Sequence, residues 1–329
     1  MSKEREMTPA LNGQVQLEIA KLLGEPINAQ LPVPVELREI ADIDTAEPGD
    51  KVYRIKNLDE TADIVLDVDS NGDITVVKRT ALDDVELSFK GLNSKLEYVL
   101  VDDIINKVDV DALARRKESI TRGMDKTELK LVLDALITPT NTYFPHNEVN
   151  NNEVVVASGD DLYDVIIAMK HVVEDYGDNF MLLAGTTVKE KLDTYHKDNV
   201  TSFNYKISII QELKDLSIDV MKIFGKVSRV TGETESRLLD QKKMILVARN
   251  SRISEGKPIA FVRRRISSDI ARQMGADVDS AQRAVYVNPT PVVDAGTNKL
   301  GFGVQGYESV IFCVKNPYGI SYADVSSII

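Results

Sequence analysis

The chain carries a single cysteine, Cys313, and three histidines in 329 residues. One thiol cannot close an internal disulfide, and one cysteine with three scattered histidines leaves little material for a structural zinc site. No stretch approaches the roughly 18 consecutive apolar residues that a membrane helix needs. The N-terminus, MSKEREMTPA, lacks the apolar core of a secretory signal peptide, so the expectation is a protein made and kept in a cytosol, with no membrane partner. Basic residues are in deficit too: 40 Lys and Arg against 52 Asp and Glu give a formal charge of −12. Broad coating of nucleic acid needs concentrated Lys and Arg, so that role is disfavoured, while a local basic face stays open. What is present, 43% hydrophobic and 28% charged, is the composition of a folded protein. The length suits about two structural units with a sizeable core and excludes disorder throughout.

Residues 1–48 read as an arm. QVQLEIAKLLG places Val15, Ile19 and Leu22 at helical spacing, and Pro26, Pro32 and Pro34 then impose extended backbone. From Val52 to Tyr98 the pattern turns to strands. ADIVLDVD and DITVVKRT flank Asn71-Gly72, the strongest short-range hairpin signal, because a type I′ turn needs positive φ at both central positions. Ile64, Leu66 and Val68 alternate with Asp63, Val65 and Asp67 on one arm, and Ile74, Val76 and Lys78 lie on the other. Such a hairpin is marginal alone in water and must lie on something, a neighbouring subunit included. DVDALARRKESITRG and MDKTELKLVLDALITP then predict a long helical spine broken near Gly123 and closed by Pro139, with Leu129, Val132, Leu133 and Leu136 on its apolar face. Asn and Pro residues from Thr138 to Asn152 mark a boundary loop. Beyond it VVVASG, DLYDVIIAMKHVVEDYG, NFMLLAG, TVKEKLDTYHKD, MILVARN and PIAFVRRRI alternate strand with helix, an α/β unit. The end of the chain returns to strands.

Candidate chemistry is thin. DVDSNGDITVVK matches the first, third, fifth and sixth positions of a calcium loop, but Lys78 stands where the bidentate Glu belongs, which favours a plain Asx-rich hairpin turn. His146, His171 and His196 share no ligand spacing, and His171 reads as a partly buried helix residue. Cys313, inside VIFCV, reads as a small hydrophobe. Gly301, Gly303 and Gly306 mimic GxGxxG, but a strand follows where a dinucleotide site needs a helix. The strand-to-helix step at Gly185-Thr186 lacks the phosphate-loop spacing and keeps only a generic anion-binding option. Arg115, Arg116 and Lys117 suit a solvated helix face. Arg263 and Arg265 share one face of a strand with Arg264 on the other; pairing with acidic groups of another subunit and a solvated sheet edge are equally open. No catalytic residue, cofactor or metal is expected.

The order of arm, Asn-Gly hairpin, spine helix, central α/β unit with DLYDVIIAMK and MLLAGTTVKEKL, and closing strands ending VIFCVKNPYGISYADV resembles the major capsid proteins of tailed double-stranded DNA bacteriophages, the HK97-like fold. The resemblance implies an α+β chain with an N-terminal arm at 1–48 and an extended hairpin, the E-loop, at 49–98. It further implies a peripheral domain with the spine helix at 99–152 and 301–329, and an axial domain at 153–300. It implies hexamers and pentamers closing an icosahedral head around packaged double-stranded DNA held without sequence-specific contact, in a virion made in a bacterial cytoplasm. A separate scaffolding protein is expected, because the arm is too short for a built-in one and Met1 argues against prior cleavage; a portal protein is the other partner. The hairpin residues Ile64, Leu66, Val68, Asn71, Gly72, Ile74, Val76 and Lys78, with Arg263 and Arg265, are the expected intersubunit contacts. Some members crosslink a hairpin Lys to a neighbour's Asn, but no motif marks Lys78, Lys90 or Asn316 as reactive. An encapsulin-like compartment shares the architecture. An α/β enzyme with a site near Gly185 or Asn250 is the reading from another class.

Overall fold

The structure is a computed structural model that describes residues 34–50, 52–55, 85–94, 97–100, 112–137, 152–194, 196–198, 206–227, 235–252, 256–267, 282–287, 292–294 and 299–329. Pro34 keeps the extended backbone its ring favours, φ −46° and ψ 139°, but a helix, α1 (Val35–Ile40), starts directly after it. The extended backbone expected around the prolines therefore ends at Val35. A proline restricts itself and the residue before it, which leaves Val35 free to enter a helix, and Leu37 and Ile40 of that helix are buried.

β1 (Ala41–Ala46) follows α1, and β2 (Val52–Ile55) pairs antiparallel with β3 (Val85–Ser88). β4 (Lys90–Asn93) and β5 (Glu97–Leu100) precede the spine helix α2 (Ala112–Leu136). This helix runs through Gly123 without the expected break. A mid-helix glycine costs only about 1 kcal/mol relative to alanine. Buried Ile120 and Met124 on either side hold the turn, and Thr127 Oγ1 bonds the Gly123 carbonyl at 2.9 Å. Its inward row, Ile120, Met124, Glu128, Val132 and Leu136, advances by four residues at each step, which keeps it on one face.

The next elements are α3 (Leu162–Val173), β6 (Gly177–Ala184), α4 (Thr186–Thr194), β7 (His196–Asp198), β8 (Lys206–Ser208), α5 (Ile209–Asp215), β9 (Ile218–Lys222), β10 (Lys226–Val227) and β11 (Ser236–Arg237). After them come β12 (Lys243–Ser251), β13 (Ile259–Arg264), β14 (Arg283–Val287), β15 (Val292–Asp294), β16 (Lys299–Val314) and β17 (Ile320–Asp324). VVVASG does not form a strand: Glu153 makes only an isolated bridge to Tyr322, and Val155 is 86% exposed.

Two sheets organise the described residues. The first is centred on β16, whose Gly301, Val304, Tyr307, Glu308 and Val310 each have partners on two strands. β13, β14, β15, β4 and β5 all pair with β16, and β1 adds to β13 in parallel. The resemblance implied 41–46 in the arm and 259–300 in the axial domain; hydrogen bonding places β1 next to β13, and β13, β14 and β15 next to β16. The second sheet has the order β17-β12-β6-β9, with only β6 and β9 parallel. The segment 301–329, expected to return whole to the spine helix, therefore divides. β16 stays with α2, and after a turn at Pro317–Gly319 β17 joins β12.

The second sheet is apolar on both faces. Met181, Leu183, Ile245, Val247 and Ile320 pack toward α2 and the first sheet, while Phe180, Leu182, Met244, Leu246 and Ala323 pack toward α3, α4 and α5. That double burial explains why NFMLLA and MILVA read as unbroken apolar runs. Each fully buried Leu, Ile or Phe in such a layer contributes roughly 1.5–3 kcal/mol. His171 corrects another expectation: its side chain is 64% exposed on the outer face of α3, with Nδ1 2.8 Å from Glu174 Oε1. Val165, Ile166, Met169 and Val173 occupy the face that packs.

Candidate assembly site

Eight of the ten expected contact residues, Ile64, Leu66, Val68, Asn71, Gly72, Ile74, Val76 and Lys78, lie outside the described residues, as do the calcium-like loop and His146. The root of the hairpin is described. β2 and β3 form a ladder of their own, with Val52 opposite Ser88 and Ile55 opposite Val85, separate from the β16 sheet. Phe89, between β3 and β4, packs against buried Ala46, Val262 and Ile311. Arg264 adds a second tie: its guanidinium stands 5.2 Å over the Phe89 ring, and Nη1 donates to the Asp50 carbonyl at 2.9 Å. A cation over an aromatic face is worth about 0.5–1 kcal/mol where solvent reaches it. Asp50, just before β2, and Phe89, just after β3, are thus both tied to Arg264.

The triple-arginine run is divided among three places. Arg265, partly exposed just past the end of β13, pairs with Glu47 at 3.1 Å. Arg264 holds the hairpin root. Arg263 is 0% exposed and turns inward to α2, where its Nε and Nη2 donate to the two carboxylate oxygens of Glu128 at 2.8 and 2.6 Å. The expectation that Arg263 pairs with another subunit is corrected: its acidic partner belongs to its own chain, because strand alternation aims it at the spine helix.

Around that pair lies a buried charge cluster. Arg283, on β14 and 1% exposed, donates Nη1 to Asp125 Oδ1 at 2.6 Å and to the Thr121 carbonyl at 3.3 Å. Its Nε donates to Glu308 Oε2, and its Nη2 lies 3.3 Å from Glu128 Oε2. Burial lowers the Arg283 pKa, but Glu308, Glu128 and Asp125 outweigh it and hold the group firmly charged. Burial, with the charge of Glu128, pushes the Glu308 carboxyl up to about 7 against the pull of Arg283 and Arg263. One helix and three strands are joined here by charge-assisted hydrogen bonds. The sequence reading missed Glu128, Arg283 and Glu308. Glu128 did leave a signal, since it falls four residues from both Met124 and Val132, on the apolar row.

The remaining candidates resolve into packing. Gly306 is where β16 meets α2: a Cβ there would lie 2.7 Å from Ile120 Cγ2 and from Met124 Sδ. The glycine pattern thus serves close helix–strand approach. At Gly185 a Cβ would meet the Asp240 carbonyl at 2.1 Å, and the N–H groups of Thr187 and Val188 donate to the Gln241 carbonyl at 3.1 and 3.2 Å. The start of α4 is therefore satisfied by its own chain rather than left open to an anion. Cys313 is fully buried, and burial pushes its thiol up to about 12. Asn250, the other enzyme-site candidate, is exposed and bonds Asp178 at 2.7 Å. Arg115 is exposed on α2, beside a cavity of about 860 Å³ that Arg122, Lys126, Lys226, Glu118 and Glu235 also line. Among the described residues no His, Cys, Asp and Glu group is arranged to hold a metal ion, and no helix is long and apolar enough to cross a membrane.

No family model matches the chain, and no curated protein does. Solved structures do match. A chain from the asymmetric unit of the bacteriophage PhiM1 mature capsid aligns over 89% of this chain and 87% of its own, with 9% identity and a TM-score of 0.52. A virus-like particle from Pyrococcus furiosus aligns over 95% and 98%, with 14% identity and a TM-score of 0.47. The SrpI encapsulin complex from Synechococcus elongatus PCC 7942 aligns over 98% and 96%, with 11% identity and a TM-score of 0.44. The PhiM1 likeness, at an identity too low to speak for more than architecture, shows that this chain has the HK97-like α+β capsid fold.

Proposed function

We propose that the chain is a structural subunit, the major capsid protein of a tailed double-stranded DNA phage, and not an enzyme. The observation that carries this is the fastened hairpin root, β2 against β3, which stands apart from the β16 sheet within a capsid fold. The segment between those strands holds alternating apolar residues, Ile64, Leu66 and Val68, that a neighbouring subunit would bury. A contact of modest strength, repeated around a closed ring, sums to a stable shell. Arg265, partly exposed at the strand end, is the arginine of the run that remains placed to meet a neighbour.

In this reading 1–33 acts as the arm and the excursion from β2 to β3 as the E-loop. The β16 sheet with α2 forms the peripheral domain, and the β17-β12-β6-β9 sheet with α3, α4 and α5 the axial domain. Hexamers and pentamers close an icosahedral head with a portal and a separate scaffolding protein. The double-stranded DNA inside touches a wall whose negative net charge limits adhesion. The subunit is made in the bacterial cytoplasm and ends in the virion.

The test is expression of the chain with and without its neighbouring reading frames, with particle mass from light scattering and imaging in negative stain. Closed shells, rings of five or six, or tubes are expected. A monomer or dimer under every condition, scaffold included, overturns the reading. Shells that enclose an enzyme encoded next to this chain, rather than DNA, assign it instead to a compartment.

A further inference from the structure

We propose that Glu308 is a proton-binding site that controls how tightly the spine helix is held to the β16 sheet. The inference concerns the single chain and holds whether or not the chain builds a shell.

The geometry supplies the reason. In the buried cluster two guanidinium groups, Arg263 and Arg283, face three carboxyls, Asp125, Glu128 and Glu308. With all five ionised, the cluster holds one negative charge in excess. The three acids are not equivalent. Glu128 has both oxygens bonded by Arg263 and a further contact with Arg283, and Asp125 is 29% exposed and reaches water. Glu308 is 0% exposed, and only its Oε2 is engaged, by Arg283; its Oε1 has no hydrogen-bond partner among the described residues. An ionised oxygen left unpaired in the interior is expensive, and a proton on that oxygen removes both the unpaired charge and the excess.

Every element packed against Glu308 contributes to this balance. α2 presents Asp125 and Glu128, β13 presents Arg263 and β14 presents Arg283. β4 sets Leu92 opposite Glu308 and keeps Lys90 exposed. Among the described residues Arg283 and Arg263 are the cations that act on the acid, and both are shared with Glu128 and Asp125, so the proton is the counter-charge that completes the site. Burial accordingly raises the Glu308 carboxyl to about 7. With the folded-state value above the unfolded one, the proton's contribution to stability is complete below the ordinary carboxylate range. It is lost as pH rises through about 7, at tenfold in the folding constant per pH unit between those limits. Above that point the excess charge stands at the junction of β14, β16 and α2 and loosens it.

The experiment is urea unfolding of the full chain between pH 5 and 8.5, wild type against Glu308→Gln, a neutral mimic of the protonated acid. The wild-type folding constant is expected to fall relative to the variant's by about tenfold per unit between pH 5 and 7 and to level off above. A ratio that does not change with pH overturns the proposal. Infrared spectra of wild type labelled with ¹³C at glutamate carboxyls decide the matter even where the variant fails to fold. A glutamic-acid carbonyl band present at pH 6 and titrating near 7 is expected. Its absence at pH 6, or its persistence in a folded Glu308→Gln chain, overturns the assignment.

Discussion

Arg263 and Glu128 meet in a bidentate ion pair that no solvent reaches, one on a strand of the β16 sheet and the other in the apolar row of the spine helix. A pair of this kind adds little net stability against an apolar replacement, yet it is costly to break from one side. It fixes which turn of the helix stands over which strand.

Glu128→Gln keeps the shape but takes from the buried Arg263 guanidinium its bidentate carboxylate partner, while Arg283 keeps Asp125 and Glu308. A loss of about 3–5 kcal/mol is expected, read as a lower urea midpoint at unchanged slope. Replacing both Glu128 and Arg263 with Met is expected to cost clearly less than the sum of the two single replacements. Additive costs would show that the two residues do not act together.

Gly306→Ala places a methyl group 2.7 Å from Ile120 Cγ2 and Met124 Sδ, so these side chains must shift. The expected loss is about 1–3 kcal/mol, seen as a lower melting temperature. Adding Met124→Ala is expected to recover part of it, because the truncated side chain leaves room for the new methyl. An unchanged melting temperature in Gly306→Ala would contradict the close approach.

The Cys313 thiol, raised to about 12 by burial, is almost wholly protonated at pH 8. Iodoacetamide is therefore expected to leave the native chain unmodified at that pH and to label it in urea. Equal labelling rates in the two states would mean that the β16 strand is open to reagent.

Asp in place of Ile74 or Val76 is expected to reduce shell yield sharply while circular dichroism of the subunit stays as in wild type. Unaffected yield would remove the hairpin from the assembly contacts.

Deletion of residues 1–24 is expected to leave the fold intact and to widen the distribution of particle sizes in negative stain. Particles of normal, uniform size would show that the arm does not set curvature.

Within the stretch from VVVASG to PIAFVRRRI, the helix at DLYDVIIAMK and the strands at NFMLLAG and MILVARN were legible because the first repeats at helical spacing and the others are strand-length apolar runs. Local signals of that kind depend on a few residues and survive without context. Three other local signals were overruled. Gly123 did not break its helix, because Ile120 and Met124 anchor it from both sides. Pro34 did not prolong the extended backbone, because it restricts only itself and the residue before it, and Leu37 and Ile40 found a core. VVVASG did not become a strand: pairing stops at the bridge between Glu153, just before it, and Tyr322.

Apart from Glu128 on the apolar row, the charge cluster was not legible, because its members stand at positions 125, 128, 263, 283 and 308, far apart in sequence and ordinary one by one. A Glu on a helix or an Arg at a strand end is usually solvated, and only the stacking of α2 over β13, β14 and β16 takes these out of water. The sequence by itself determined the elements and their order, since φ/ψ preference and apolar period act over a few residues. The tertiary structure decided which strands share a sheet, where each arginine of the run is directed and why Gly306 has no side chain. Those outcomes follow from long-range hydrogen bonding and close packing, which no local pattern encodes.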